Sequence, residues 1–143
     1  MAMKAPSMDE WLRDAKTAPG AENCGMYLFH NGVVRRTSKA AARQGRVNDA
    51  PVAGMDFDYD EEKAKSAAET ARAMPGIRHV RVWLNRGRLS PGDDIMLVLV
   101  GGDIRPHVVD ALQALVGELK EHCVTEREVF EPARPEAPEG KRT

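Results

Sequence analysis

At 143 residues the chain is about one domain long, enough to bury a single core but not two. Twenty-one Lys and Arg stand against twenty-two Asp and Glu, so the balance gives no reason to expect a nucleic-acid or membrane-surface protein, and any anion site has to be local. The two cysteines, Cys24 and Cys123, show no Cys-x-x-Cys or Cys/His ligand spacing, so two reduced structural thiols are expected rather than a disulfide framework or a zinc site.

The start, Met1-Ala2-Met3-Lys4, lacks the apolar stretch of a signal peptide, and a cytoplasmic protein is expected. Ser7 or Asp9 caps a short helix through Lys16, with Met8, Trp11, Leu12 and Ala15 on one face, and Pro19-Gly20 ends it. From Cys24 to Arg36, Tyr27, Phe29, Val33 and Val34 favour a strand that Asn31-Gly32 interrupts. That dipeptide is either a hairpin turn or a bulge in one long strand. Thr37 to Asn48 is basic, with Lys39, Arg43 and Arg46, and reads as a mobile surface loop because Gly45 breaks any continuous helix.

Pro51 to Asp58 alternates imperfectly, as a strand bulged at Gly54 would. Asp60 then caps a helix up to Met74, closed by Pro75-Gly76. His79 to Leu84 alternates as a strand, and Ser90-Pro91-Gly92-Asp93 turns into the buried strand Asp94 to Val100, whose apolar run is far too short to span a bilayer. After Gly101-Gly102, Asp103 caps the longest helix, running to about His122 on the stripe Val108, Leu112, Leu115, Val116 and Leu119. Val124 to Phe130 is a last strand, before a Pro-rich tail over 131–143 in which order is not expected. One α+β domain over 1–130 follows, with helices on a largely antiparallel or mixed sheet.

No triad, telling acid pair or Walker-type loop is present, and His30, His79, His107 and His122 are scattered as surface or structural residues. Three basic positions remain. In Gly101-Gly102-Asp103-Ile104-Arg105, free backbone N–H groups and the helix dipole favour an anion that Arg105 can grip, although geometry alone favours an ordinary strand-to-helix turn with a solvated arginine. Lys120 lies at the edge of the apolar stripe, where partial burial favours the neutral amine, unless it snorkels to solvent. Arg35 and Arg36 point to opposite faces, so at most one of them lines a given pocket.

These positions coincide with a family pattern. Phe29-His30-Asn31-Gly32-Val33-Val34-Arg35 resembles, with one residue inserted, the Phe-x-Gly-x-Val-Arg strand of the large, catalytic subunit of molybdopterin synthase, the MoaE-like family. Arg86-Gly87-Arg88-Leu89-Ser90-Pro91-Gly92-Asp93 resembles its Arg-hydrophobic-Gly-x-Leu-x-x-Gly-Asp turn, and Leu119-Lys120 the Leu-Lys near the end of its last long helix. The resemblance implies an α/β hammerhead with an additional antiparallel sheet, assembled as a homodimer and, with its carrier, as a heterotetramer. The implied reaction converts cyclic pyranopterin monophosphate to molybdopterin, with sulfur from a ubiquitin-like small subunit whose C-terminal Gly-Gly ends as a thiocarboxylate. No metal or cofactor is implied at this stage.

By the same resemblance Lys120 is the catalytic lysine, and Arg35 and Arg105 hold the phosphate or the pterin. Two departures stand out: the position before Arg105, where the family has His, is Ile104, and the family's aromatic-Lys-Lys-Glu segment reads Thr125-Glu126-Arg127-Glu128. Its second lysine becomes Arg127 without a gap, a substrate-binding position, or Glu126 with one; neither is a nucleophile. The implied functions are therefore a divergent synthase relying on Lys120, or a non-catalytic or weakly active relative that binds the carrier or a pterin phosphate.

Overall fold

A computed structural model of the chain describes residues 3–45 and 50–132. Among these residues, six strands form two three-stranded antiparallel sheets. The first has the order β1-β5-β3, from Met26–Val33, Asp94–Gly102 and Ile77–Leu84; the second has the order β4-β2-β6, from Gly87–Leu89, Val52–Tyr59 and Val124–Phe130. The α-helices of the described residues, α1 (Met8–Thr17), α2 (Lys39–Gln44), α3 (Glu61–Arg72) and α4 (Arg105–Glu118), complete an α+β fold. None of the described helices is long and apolar enough to cross a membrane.

The uninterrupted apolar run in β5 is explained by its place. As the central strand it is covered on both faces, so residues of either parity must be apolar. Leu97 and Leu99 meet Trp11 and Ala15 of α1, with Tyr27, Phe29 and Trp83 around them. Met96, Val98 and Val100 face α3 and α4, joined by Ala64, Ala67, Ala68 and Ala71 of α3 and by Val108, Ala111 and Leu115 of α4. Each large side chain here contributes about 1.5–3 kcal/mol by leaving water. The Ser7 and Asp60 hydroxyl and carboxylate accept from Glu10 N and Lys63 N, capping α1 and α3.

Asn31-Gly32 makes no hairpin. β1 runs through it against β5, and the register slips only between Gly32 and Val33, which selects the bulge. β2 likewise slips between Val52 and Gly54. The short strand β4 escapes sequence patterning because three residues carry no period.

Three expectations are corrected. Lys39–Gln44 is a helical turn and a half rather than a loop: Ser38 caps it by accepting from Ala41 N, Ala41 is buried beneath it, and Gly45 ends it in the left-handed region. The rest of the expected loop, 46–49, and the tail from 133 on lie outside the described residues. Gly101 and Gly102 are not a turn but the end of β5, paired with β1 and β3 on either side. A Cβ on Gly101 would lie 2.6 Å from the Tyr27 ring, and one on Gly102 would lie 2.7 Å from the Gly76 carbonyl oxygen, so close packing is what demands glycine. Finally, α4 is α-helical only to Glu118, and Leu119–Cys123 widens into a π-helical turn before β6.

Candidate functional site

A cavity of about 770 Å³ opens where β1, α2, β6 and the π turn after α4 converge, lined among others by His30, Arg35, Lys39, Arg43, Lys120, Glu126 and Glu128. Its position follows from strand parity. Met26 and Leu28 of β1 pack on the core beside α4, so His30 and Gly32, continuing that alternation, face the same side where the π turn presents Lys120. Leu119 is completely buried and anchors the turn, which leaves Lys120 exposed rather than half-buried. Widening the helix by one residue per turn rotates the side chains that follow, a feature common where helices serve a site.

Arg35 follows β1 and reaches this cavity, whereas its neighbour Arg36 turns away to pair with Glu131 at 3.0 Å. From α2 come Lys39 and Arg43, one helical turn apart and therefore on one side. Glu128 of β6 holds α2 in place by accepting from Lys39 N at 2.9 Å. Among the described residues, four cations against two carboxylates give the cavity a positive balance in a chain of almost no net charge, suited to an anionic ligand.

His30 is the site residue that the sequence reading missed. Its Nε2 is buried without a hydrogen-bond partner among the described residues, and burial, followed by the nearby Lys120 ammonium, holds its pKa below the ordinary imidazole value. The ring is therefore neutral at pH 7. Its parity with Met26 and Leu28 was the available clue, and it pointed only to a face, not to Lys120.

Arg105 and Arg127 are elsewhere. Arg105 opens α4 at the far end of that helix, exposed, beside Ile104, which is 52% exposed. The expected anion site there is already filled by the chain's own carboxylate. Asp103 does not cap the helix; its Oδ1 accepts from Ile104 N and pairs with His107 Nδ1 at 2.8 Å, which holds the Asp103 carboxyl below its usual range. Arg127 alternates with Glu126 and Glu128, so it leaves β6 on the other face, where it and Arg88 share the Asp56 carboxylate. It lines a separate surface hollow with Arg88 and Gly87. The structure thus brings Arg35 and Lys120 together and leaves Arg105 and Arg127 outside their cavity.

Cys24 and Cys123 are both free, and burial pushes the Cys123 thiol up, away from the reactive thiolate. No group of three or more His, Cys, Asp or Glu suited to a metal occurs among the described residues.

Comparison with known proteins bears on the fold. The family model described as MoaE protein matches residues 4–122. No curated protein sequence matches the chain. Among solved structures, molybdopterin synthase from Staphylococcus aureus superposes with a TM-score of 0.69 at 18% identity, over 92% of this chain and 90% of that one. The molybdopterin biosynthesis MoaE protein from Burkholderia ambifaria MC40-6 gives 0.66 at 20% identity, over 90% and 85%. A complex of subunits 1 and 2 of molybdopterin-converting factor from Helicobacter pylori 26695 gives 0.62 at 18% identity, over 96% and 88%.

Proposed function

Because the chain belongs to the MoaE family, we propose that it is the large subunit of a molybdopterin synthase, building the dithiolene of molybdopterin on cyclic pyranopterin monophosphate with sulfur from a thiocarboxylated small subunit. The observation that carries this reading is the meeting of Lys120 and Arg35 in one positively balanced cavity. Both reactants are anions, a phosphate and a thiocarboxylate. The cavity falls in the size range of small-molecule sites, and its openness to the surface leaves a path for an extended carrier tail. Arg35 binds the phosphate, Lys39 and Arg43 add to the field that draws it in, and Lys120 stabilises the carrier's acyl group or attacks it. The relative from Helicobacter pylori is a complex of two subunits, which supports a small carrier subunit as this chain's partner.

Arg105 enters this reading through a second copy of the chain. Fifteen residues separate it from Lys120, and at the α-helical rise that is about 22 Å along the axis. A pterin phosphate does not bridge such a gap, and α4 has no break before Glu118. A two-fold dimer supplies Arg105 from the neighbouring chain to each cavity and makes two equivalent sites.

One feature favours a second reading, a carrier-binding relative without turnover: at position 104 the chain offers an exposed isoleucine where the family pattern has a histidine. Incubating the purified protein with cyclic pyranopterin monophosphate and a thiocarboxylated carrier separates the two. Dithiolene product is the expected result. Carrier binding with no product would establish the second reading instead.

A further inference from the structure

Turnover of a thiocarboxylate carrier imposes a requirement that the lysine and the arginines do not meet. When sulfur leaves the carrier's acyl carbon for the pterin, an oxygen must take its place before the carrier can depart, and water is its source. Some group has to take a proton from that water. Arginine cannot, since it stays protonated, and an ammonium cannot either.

We propose that His30 is this base, an imidazole supplied from β1 in the same chain as Lys120. It lines the cavity with Lys120; its Nε2 is buried without a partner among the described residues, which leaves Nδ1, not buried and also without a partner among them, as the nitrogen that takes the proton. Gly32, two residues on and on the same face, lets the ring pack close to the strand; a Cβ there would lie 3.7 Å from Nε2 and 3.1 Å from the Met96 side chain. Among the described residues, the charged groups that line the cavity with the ring are Arg35 after β1, Lys39 and Arg43 on α2, Lys120 on the π turn, and Glu126 and Glu128 on β6. Cations outnumber carboxylates, and Glu128 is already engaged at the N-terminus of α2. That balance keeps the imidazole in its neutral, proton-accepting form at pH 7.

The step balances as follows. The carrier's acyl carbon is held as a thioester to the pterin sulfur. Water's oxygen bonds to that carbon while one water proton passes to His30. The C–S bond then breaks with its electron pair left on sulfur, and the imidazolium returns its proton to the thiolate. The second water proton leaves with the carrier's carboxyl group, which ionises. Lys120 stabilises the oxyanion formed on the way.

This inference rests on the synthase reading, and the test keeps the two apart. His30→Gln and the wild type are compared for dithiolene formation between pH 5 and 8, for carrier affinity, for thermal stability and, by mass spectrometry in a single turnover, for a carrier–pterin thioester. The wild-type rate falls as the pH drops through the lowered His30 pKa. The variant keeps carrier affinity and stability, turns over roughly a hundredfold more slowly, loses that acid limb and accumulates the thioester. A wild-type rate in the variant, or a slower rate with the acid limb intact and no thioester, overturns the role of His30 alone. A wild type that forms no dithiolene overturns the synthase reading and this inference together.

Discussion

The two ends of α4 are built differently. At its C-terminal end the helix widens into a π turn, a buried leucine fixes the turn, and Lys120 emerges into a cavity shared with Arg35 and His30. At its N-terminal end Ile104 and Arg105 stand exposed, and the helix dipole is already answered by Asp103. One end borders a cavity with a positive balance; at the other a carboxylate of the chain already meets the helix N-terminus. In the proposed dimer, Lys120 and Arg35 come from one chain and Arg105 from the other.

Lys120→Ala gives the largest effect. It removes dithiolene formation altogether while moving stability by no more than about 0.5 kcal/mol, because the side chain is exposed. Lys120→Arg is also inactive if an amine must attack, since a guanidinium cannot. Full activity in Lys120→Ala would end the claim that this end of α4 is the reacting end. Next comes the imidazole. Ile104→His recovers up to roughly a hundredfold in a His30→Gln background and adds little to the wild type. A large gain in the wild type would show that the N-terminal end, not His30, is where proton transfer limits the rate.

A smaller effect separates packing from anion binding at the start of α4. In Gly102→Ala the new methyl meets the Gly76 carbonyl oxygen and, at 2.8 Å, Val108. The expected loss is about 1–3 kcal/mol of stability in a denaturation curve, with phosphate affinity kept. Lost phosphate affinity at full stability would restore an anion role to these glycines. The smallest effect is that of Arg127→Ala. Asp56 keeps Arg88 at 2.5 Å, and both pairs are on the surface, where solvent screens them, so neither the denaturation curve nor turnover changes measurably.

Much of the fold was legible because periodicity and turn chemistry agree with it. Ser7 and Asp60 do cap α1 and α3, Gly54 does mark a bulge, and the continuous apolar run of β5 does lie between covered faces. What escaped depended on tertiary context. A helix as short as Lys39–Gln44 is below the length at which a pattern registers, and it stands because Glu128, 89 residues away, holds its first N–H. Gly101-Gly102 has the composition of a turn, yet sheet pairing on both sides decides its conformation. For the site, resemblance picked out Arg35 and Lys120, and the fold places them together. It could not reveal His30, whose meaning depends on which helix end lies over β1, or the opposite faces of Arg127 and its glutamate neighbours.

Complementation tests most directly whether the two ends of α4 serve one site across two chains. Arg105→Ala and Lys120→Ala dimers, each inactive, are unfolded together, mixed equally and refolded. Random pairing makes about half of the dimers mixed, each with one intact site of two, so about a quarter of wild-type activity returns. Native dimers with no activity would contradict the account, because sites confined to single chains recover nothing when every chain carries one lesion.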